Sequence, residues 1–244
     1  MEIIGHRGAM WDAPENTIAS FKMGWEQNSD IVECDVHLTA DGRIVTIHDD
    51  STLRTSGIDL KVSETDSEVL RQLDVGRFKG PQFEGQRIPF LEEALETMPP
   101  HGRFLIEIKC GSEIVQPLKR LIETSGKAHQ VAIIGFDLDV IAEFKRTMPD
   151  VPVYWLRSTP RDESGIPRPY DTSLIEQAKS KGIDGLNLHY AGLTEPVAKS
   201  ILDAGLKLYV WVINEPEEAR RLIGMGIHGF GTDRPGWIRE QLGL

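Results

Sequence analysis

IVECDVHLTADGRIVTIHDD, residues 31–50, decides the reading of the fold. It opens on two apolar residues in an extended segment, where successive side chains alternate between two faces. Glu33, Asp35 and His37 therefore share one face, and Cys34, Val36 and Leu38 the other. Two carboxylates on the same side of a strand that begins Ile31-Val32 repel each other and, if buried, lose their hydration. A positive charge is expected between them.

Outward from this segment, short β-branched runs recur: EIIG (2–5), DIVECDV (30–36), RFLIEIK (103–109), QVAIIGF (130–136), VPVYWL (151–156), GLNL (185–188), KLYVWVI (207–213) and HGFGT (228–232). Helical 3.6-residue patterns run between them, at Ile18–Trp25, Leu91–Met98, Ile114–Ile122, Val140–Phe144, Leu174–Ala178, Val197–Leu202, Ala219–Ile223 and Trp237–Leu242. Asn16 and Thr194 are expected to cap helices, and Pro216 and Pro235 to sit in first turns. Nearly continuous apolar strands alternating with helices predict parallel pairing. Eight such units in 244 residues favour a closed (β/α)₈ barrel of the TIM type, an α/β fold, spanning 1–244 as one domain. Residues from about 50 to 88 break the rhythm: polar and glycine-containing, with at most one short helix near Ser67–Leu73. An insertion this long after the second strand is expected on the catalytic face.

Composition narrows the function. Hydrophobic residues make up 40% of the chain, enough for a real core, and 38 acids against 27 Lys plus Arg leave a net charge of −11. Such a surface holds neither nucleic acid nor an anionic membrane well. No apolar run approaches a membrane span and no signal-peptide pattern opens the chain, so a cytoplasmic location is expected. Cys34 and Cys110 lie far apart and form no CxxC, which argues against a zinc site or disulfide framework. Oligomeric state leaves no readable trace.

The chemically distinctive residues collect at strand ends. His6 and Arg7 follow the first strand, Glu33 and Asp35 end the second, Glu107 and Lys109 end the third, and His48 closes the extended piece RIVTIH. In a barrel these ends meet around one cavity. Glu33, Asp35 and Glu107 would then form a hard oxygen site suited to Mg²⁺, Ca²⁺ or Mn²⁺. His6 and His48 suit proton transfer near neutrality, and Arg7 and Lys109 suit an anion. His37, His101, His129 and His228 are read as structural.

GHRGAMWDAPENT (5–17), VECDVHLTADGRIVTIHDD (32–50), RIPFLEEAL (87–95), IEIK (106–109), YVWVINEP (209–216) and GFGTDRP (229–235) together resemble the glycerophosphodiester phosphodiesterase family. The resemblance runs from His6 to Pro235. It implies a TIM-type barrel that hydrolyses a small-molecule glycerophosphodiester to glycerol 3-phosphate and an alcohol with one divalent cation, Mg²⁺ or Ca²⁺, Mn²⁺ being a third choice. By position it implies His6 and His48 as acid and base, Arg7 and Lys109 on the phosphate, and Glu33, Asp35 and Glu107 on the metal. Glu15 and Trp211 fall on family positions near the substrate. His189 and Phe136, at strand ends, are added as candidate substrate contacts. Two rivals stand beside this reading: lysophospholipase D-type hydrolysis of lysophospholipids, which needs an apolar path for an acyl chain, and a non-catalytic phosphodiester-binding barrel.

Overall fold

The computed structural model describes residues 1–244. Nine strands form: β1 (Glu2–Gly5), β2 (Ile31–Leu38), β3 (Ile44–Thr46), β4 (Arg103–Ile108), β5 (Val131–Gly135), β6 (Val153–Arg157), β7 (Gly185–His189), β8 (Lys207–Trp211) and β9 (Gly229–Thr232). Eight are parallel, in the order β1-β9-β8-β7-β6-β5-β4-β2, and pairing of β2 with β1 closes the barrel. The ninth, β3, is the extended piece before His48; it folds back antiparallel on β2, with Val36 opposite Thr46.

The two faces of each strand serve two cores. Outward residues such as Ile3, Val32, Ile106, Ile133, Leu186 and Phe230 pack beneath the surrounding helices in the larger core. Inward residues Ile4, Ile31, Leu105, Ile134, Tyr154, Leu156 and Tyr209 fill the barrel axis. The interior is thus plugged by bulky side chains, as closed eight-stranded barrels require. All eight parallel C-terminal ends open on one side, and the polar residues sit there.

Two local expectations change. Thr17, not Asn16, caps the helix Ile18–Glu26: its hydroxyl accepts from the Ser20 amide at 3.2 Å. Asn16 precedes the cap with φ 55° and sends its side chain to Asp35 instead. Thr194 does occupy the cap of Glu195–Asp203, but its hydroxyl makes no capping bond.

The segment between β3 and β4 is also more ordered than its polarity suggests. It carries helical turns at Leu53–Ser56 and Ser67–Leu70 and 3₁₀ turns at Val62–Glu64 and Pro81–Phe83. Val62, Leu70, Leu73, Val75, Ile88 and Phe90 close with Val45 and Ile47 into a small separate core. These apolar residues follow no helical or strand period, so periodicity alone does not reveal them. Arg71 pairs with Glu93 at 2.6 Å and clamps the segment to the helix Leu91–Glu96. Because Leu70 is fully buried there, Leu70→Ala should lower unfolding stability by about 2–5 kcal/mol in urea titration. A loss below about 1 kcal/mol would show that the segment packs independently of the barrel's cooperative unit.

Candidate active site

The turn after β1 carries the first two candidate side chains, His6 and Arg7. Arg7 takes φ 50° and Gly8 φ 88°, and a Cβ on Gly8 would lie 2.5 Å from the Ser20 backbone. Only glycine fits that approach. The Ser20 hydroxyl donates to the Arg7 carbonyl at 2.7 Å, and the Arg7 amide donates to Glu33 Oε2 at 2.8 Å. The left-handed turn is thereby tied to the neighbouring strand from both sides.

Glu33, Asp35 and Glu107 converge as the alternation on β2 predicts, with Asp35 and Glu107 directly paired across β2 and β4. Their exposures are 4%, 1% and 9%, and one ligand oxygen from each lies within 4.8 Å of the others. The expected positive charges are present. Arg7 Nε lies 3.3 Å and Lys109 Nζ 3.6 Å from Asp35, and Lys109 donates to Glu107 at 2.8 Å. Burial alone would raise the Asp35 carboxyl, but Arg7 and Lys109 outweigh it and hold it below the usual range. Glu33 is held well above that range by burial and by the Asp35 and Glu107 charges. Burial and Asp35 push Glu107 up to about 7.

Ionised together, the three carboxylates would outnumber Arg7 and Lys109, and Glu33 Oε1 is buried without any hydrogen-bond partner. An orphaned buried carboxylate oxygen beside two more hard oxygen donors fits a divalent cation. The donor set excludes a thiolate-seeking metal, since the nearby Cys34 points to the other face of β2 and packs in the outer core.

Both histidines turn Nδ1 toward a carboxylate. His6 Nδ1 lies 2.7 Å from Asp233, whose other oxygen accepts from Asn214 at 2.7 Å. His48 Nδ1 lies 2.6 Å from Asp49. With Nδ1 engaged, each ring presents Nε2 for proton exchange. Burial holds His48 below the ordinary imidazole value, against the opposing pull of Asp35. Arg54, from the insertion, bonds both Asp49 and Glu15, at 2.7 Å each, and Glu15 in turn accepts from Arg7 at 2.8 Å. One chain of charges thus connects the His48 loop to the turn that bears Arg7.

These groups rim an open cavity at the barrel mouth. His6, Arg7, Glu33, His48, Glu107 and Lys109 form one edge; Leu156, Asn187 and Trp211, from β6, β7 and β8, line the far wall, and Phe136 stands between, its ring 5.9 Å from Lys109 Nζ. Phe136, 42% exposed, meets the Trp211 ring edge-on at 5.9 Å. Two of the candidate substrate contacts lie elsewhere. His189 does not line the cavity: Thr159 holds its Nδ1 at 2.7 Å, and its ring backs Trp211 at 5.1 Å. Glu15 is buried beneath Arg7, where it is the shared counter-charge of Arg7 and Arg54. His37 is buried and bonds the His48 carbonyl at 3.2 Å, supporting the loop. Asp233, Asn214, Asp49 and Arg54 escaped the sequence reading; the available signal was an acid immediately after His48 and one inside GFGTDRP.

The model of the glycerophosphoryl diester phosphodiesterase family matches residues 6–237. The chain belongs to this family. YhdW of Bacillus subtilis is 32% identical over 245 residues, covering 98% of this chain and 96% of YhdW. A glycerophosphodiester phosphodiesterase of Caldanaerobacter subterraneus is 31% identical, covering 96% of this chain and 94% of its own length. Among solved structures, an Oleispira antarctica phosphodiesterase in complex with the product sn-glycerol-3-phosphate superposes with a TM-score of 0.91 at 25% identity, covering 100% of this chain and 97% of that one.

A pH dependence follows. Without a cation, the Glu107 carboxyl titrates at about 7, above an unfolded carboxyl of about 4.3, so the folded state binds the extra proton. The stability this group contributes is full below pH of about 4 and is lost as pH rises through about 7. A cation needs the carboxylate ionised, so the rise in Tm on adding Mg²⁺ or Ca²⁺ should be larger at about pH 8 than at about pH 6. A rise independent of pH would contradict protonation of this cluster.

Proposed function

We propose that the protein hydrolyses glycerophosphodiesters to glycerol 3-phosphate and an alcohol by in-line displacement at phosphorus, with His6 and His48 as its proton-transfer pair. One observation carries the reading: both imidazoles face a single cavity, each steadied at Nδ1 by a carboxylate, beside Arg7, Lys109 and three clustered acids. A relative's fold that holds glycerol 3-phosphate supports it.

The Arg7 guanidinium and Lys109 ammonium bind non-bridging phosphate oxygens and stabilise the charge that builds on them. Glu33, Asp35 and Glu107 would hold one divalent cation, Mg²⁺ or Ca²⁺, with Mn²⁺ accommodated by the same oxygen donors. Bound there, the cation supplies further Lewis-acid neutralisation of the phosphate. One histidine accepts the proton of the attacking oxygen, from water or from the neighbouring glyceryl hydroxyl, as the new P–O bond forms. The other gives a proton to the departing alcohol oxygen as the old P–O bond breaks. Asp233 and Asp49 keep the two rings in the orientation and tautomer this exchange needs. Free Cys34 and Cys110 suit the cytoplasmic setting that belongs to this reading.

The test is glycerol 3-phosphate release from glycerophosphocholine by chelator-stripped protein, with Mg²⁺, Ca²⁺ and Mn²⁺ restored separately. Release should vanish on stripping and return with an ion. His48→Ala should lower kcat at least about 100-fold with an unchanged circular dichroism spectrum. Near-normal turnover by that variant would remove His48 from proton transfer.

A further inference from the structure

The cavity wall opposite the acids contains one polar side chain with no explanation in the fold. Asn187 sits in the middle of β7 with its side chain toward the barrel interior, between Leu156 on β6 and Tyr209 on β8. It is 4% exposed and lines the cavity, and its Oδ1 is buried with no hydrogen-bond partner. Buried amide oxygens are almost always paired, and leaving one unpaired is costly. An inward barrel position is ordinarily filled by a branched apolar residue, and a leucine would match the surroundings. The other polar group on this wall, the Trp211 indole N–H, already donates to the Asn187 backbone carbonyl at 3.1 Å. Asn187 therefore lines the cavity with an amide whose oxygen the fold leaves without a partner.

We infer that Asn187 is a specificity-determining residue that hydrogen-bonds the terminal hydroxyl of an unacylated glyceryl group. This rests on the phosphodiesterase reading above. With the phosphate held at the Arg7 and Lys109 edge, the hydroxyl adjacent to the ester carbon stays near phosphorus. The terminal hydroxyl is the group that extends away from that edge, toward the wall of Leu156, Asn187 and Trp211. There it donates to Asn187 Oδ1 while the carbon chain lies against the aromatic rings. In a 1-acyl lysophospholipid the same oxygen is an ester and has no proton to donate. Asn187 would then stay unpaired, so the residue selects against acylated substrates. Sites built around such a bond reject analogues lacking it by as much as about 10⁴-fold.

The test uses the cation-loaded enzyme and three diesters: glycerophosphocholine, 2-hydroxypropyl phosphocholine, which lacks only the terminal hydroxyl, and 1-acyl lysophosphatidylcholine. Wild-type kcat/KM should favour the first over the second by about 100-fold or more. Asn187→Leu should reduce that ratio at least about tenfold, through loss on glycerophosphocholine, and should narrow the gap to the lysophospholipid. Should the leucine variant fail to fold, Asn187→Ser, polar but too short to reach, carries the same expectation. An unchanged ratio in a folded variant, or a wild type indifferent to the missing hydroxyl, would overturn the assignment while leaving the phosphodiesterase reading intact. A wild type that releases no glycerol 3-phosphate from glycerophosphocholine would overturn both.

Discussion

The crowding of three buried carboxylates at the mouth of a parallel barrel is the constraint on which the rest of the site depends. Barrel closure makes β2 and β4 neighbours and sets Asp35 opposite Glu107, with Glu33 one step below on the same face. Three like charges in that space are costly unless they are neutralised by protons, side-chain cations or a metal ion. The structure uses the first two incompletely: Arg7 and Lys109 hold Asp35 ionised, while Glu33 and Glu107 are driven toward their protonated forms. The orphaned Glu33 Oε1 is what fits the cluster to a cation rather than to a closed set of ion pairs.

The backbone beside the cluster is part of the same arrangement. Arg7 and Asn16 both adopt left-handed conformations, which cost energy outside glycine, and both meet the acids as a result. Arg7 reaches Glu33 through its amide and Asp35 through its side chain; Asn16 both donates to Asp35 and accepts from its amide. The insertion then connects to this centre through Arg54, which bridges Asp49 and Glu15. A segment that resembles decoration in composition is thus part of what fixes His48 relative to Arg7.

Much of this was legible from residue order. The eight parallel strands, the strand-end clustering of His6, Arg7, Glu33, Asp35, His48, Glu107 and Lys109, and the need for positive charge near the acids all follow from alternation and barrel geometry. Features set by three-dimensional neighbours were not legible. Asp233 stands 227 positions from His6, and no local pattern links them. Asn16 has the composition of a cap, yet the hydroxyl of the next residue does that work because Asp35 claims the amide. His189 ends a strand, as a substrate contact would, but Thr159 and Tyr190 hold it behind Trp211. Asn187 is one polar residue in the apolar run GLNL (185–188), and only its spatial neighbours reveal that its side-chain oxygen has no partner.

The measurement that bears most directly on the carboxylate cluster is anomalous diffraction from crystals of the chelator-treated protein soaked in Mn²⁺. A single strong peak within bonding distance of Glu33, Asp35 and Glu107, with Glu33 Oε1 among the ligands, is the expected result. A cluster that stays closed around Lys109 and Arg7, with manganese bound elsewhere or nowhere, would contradict it.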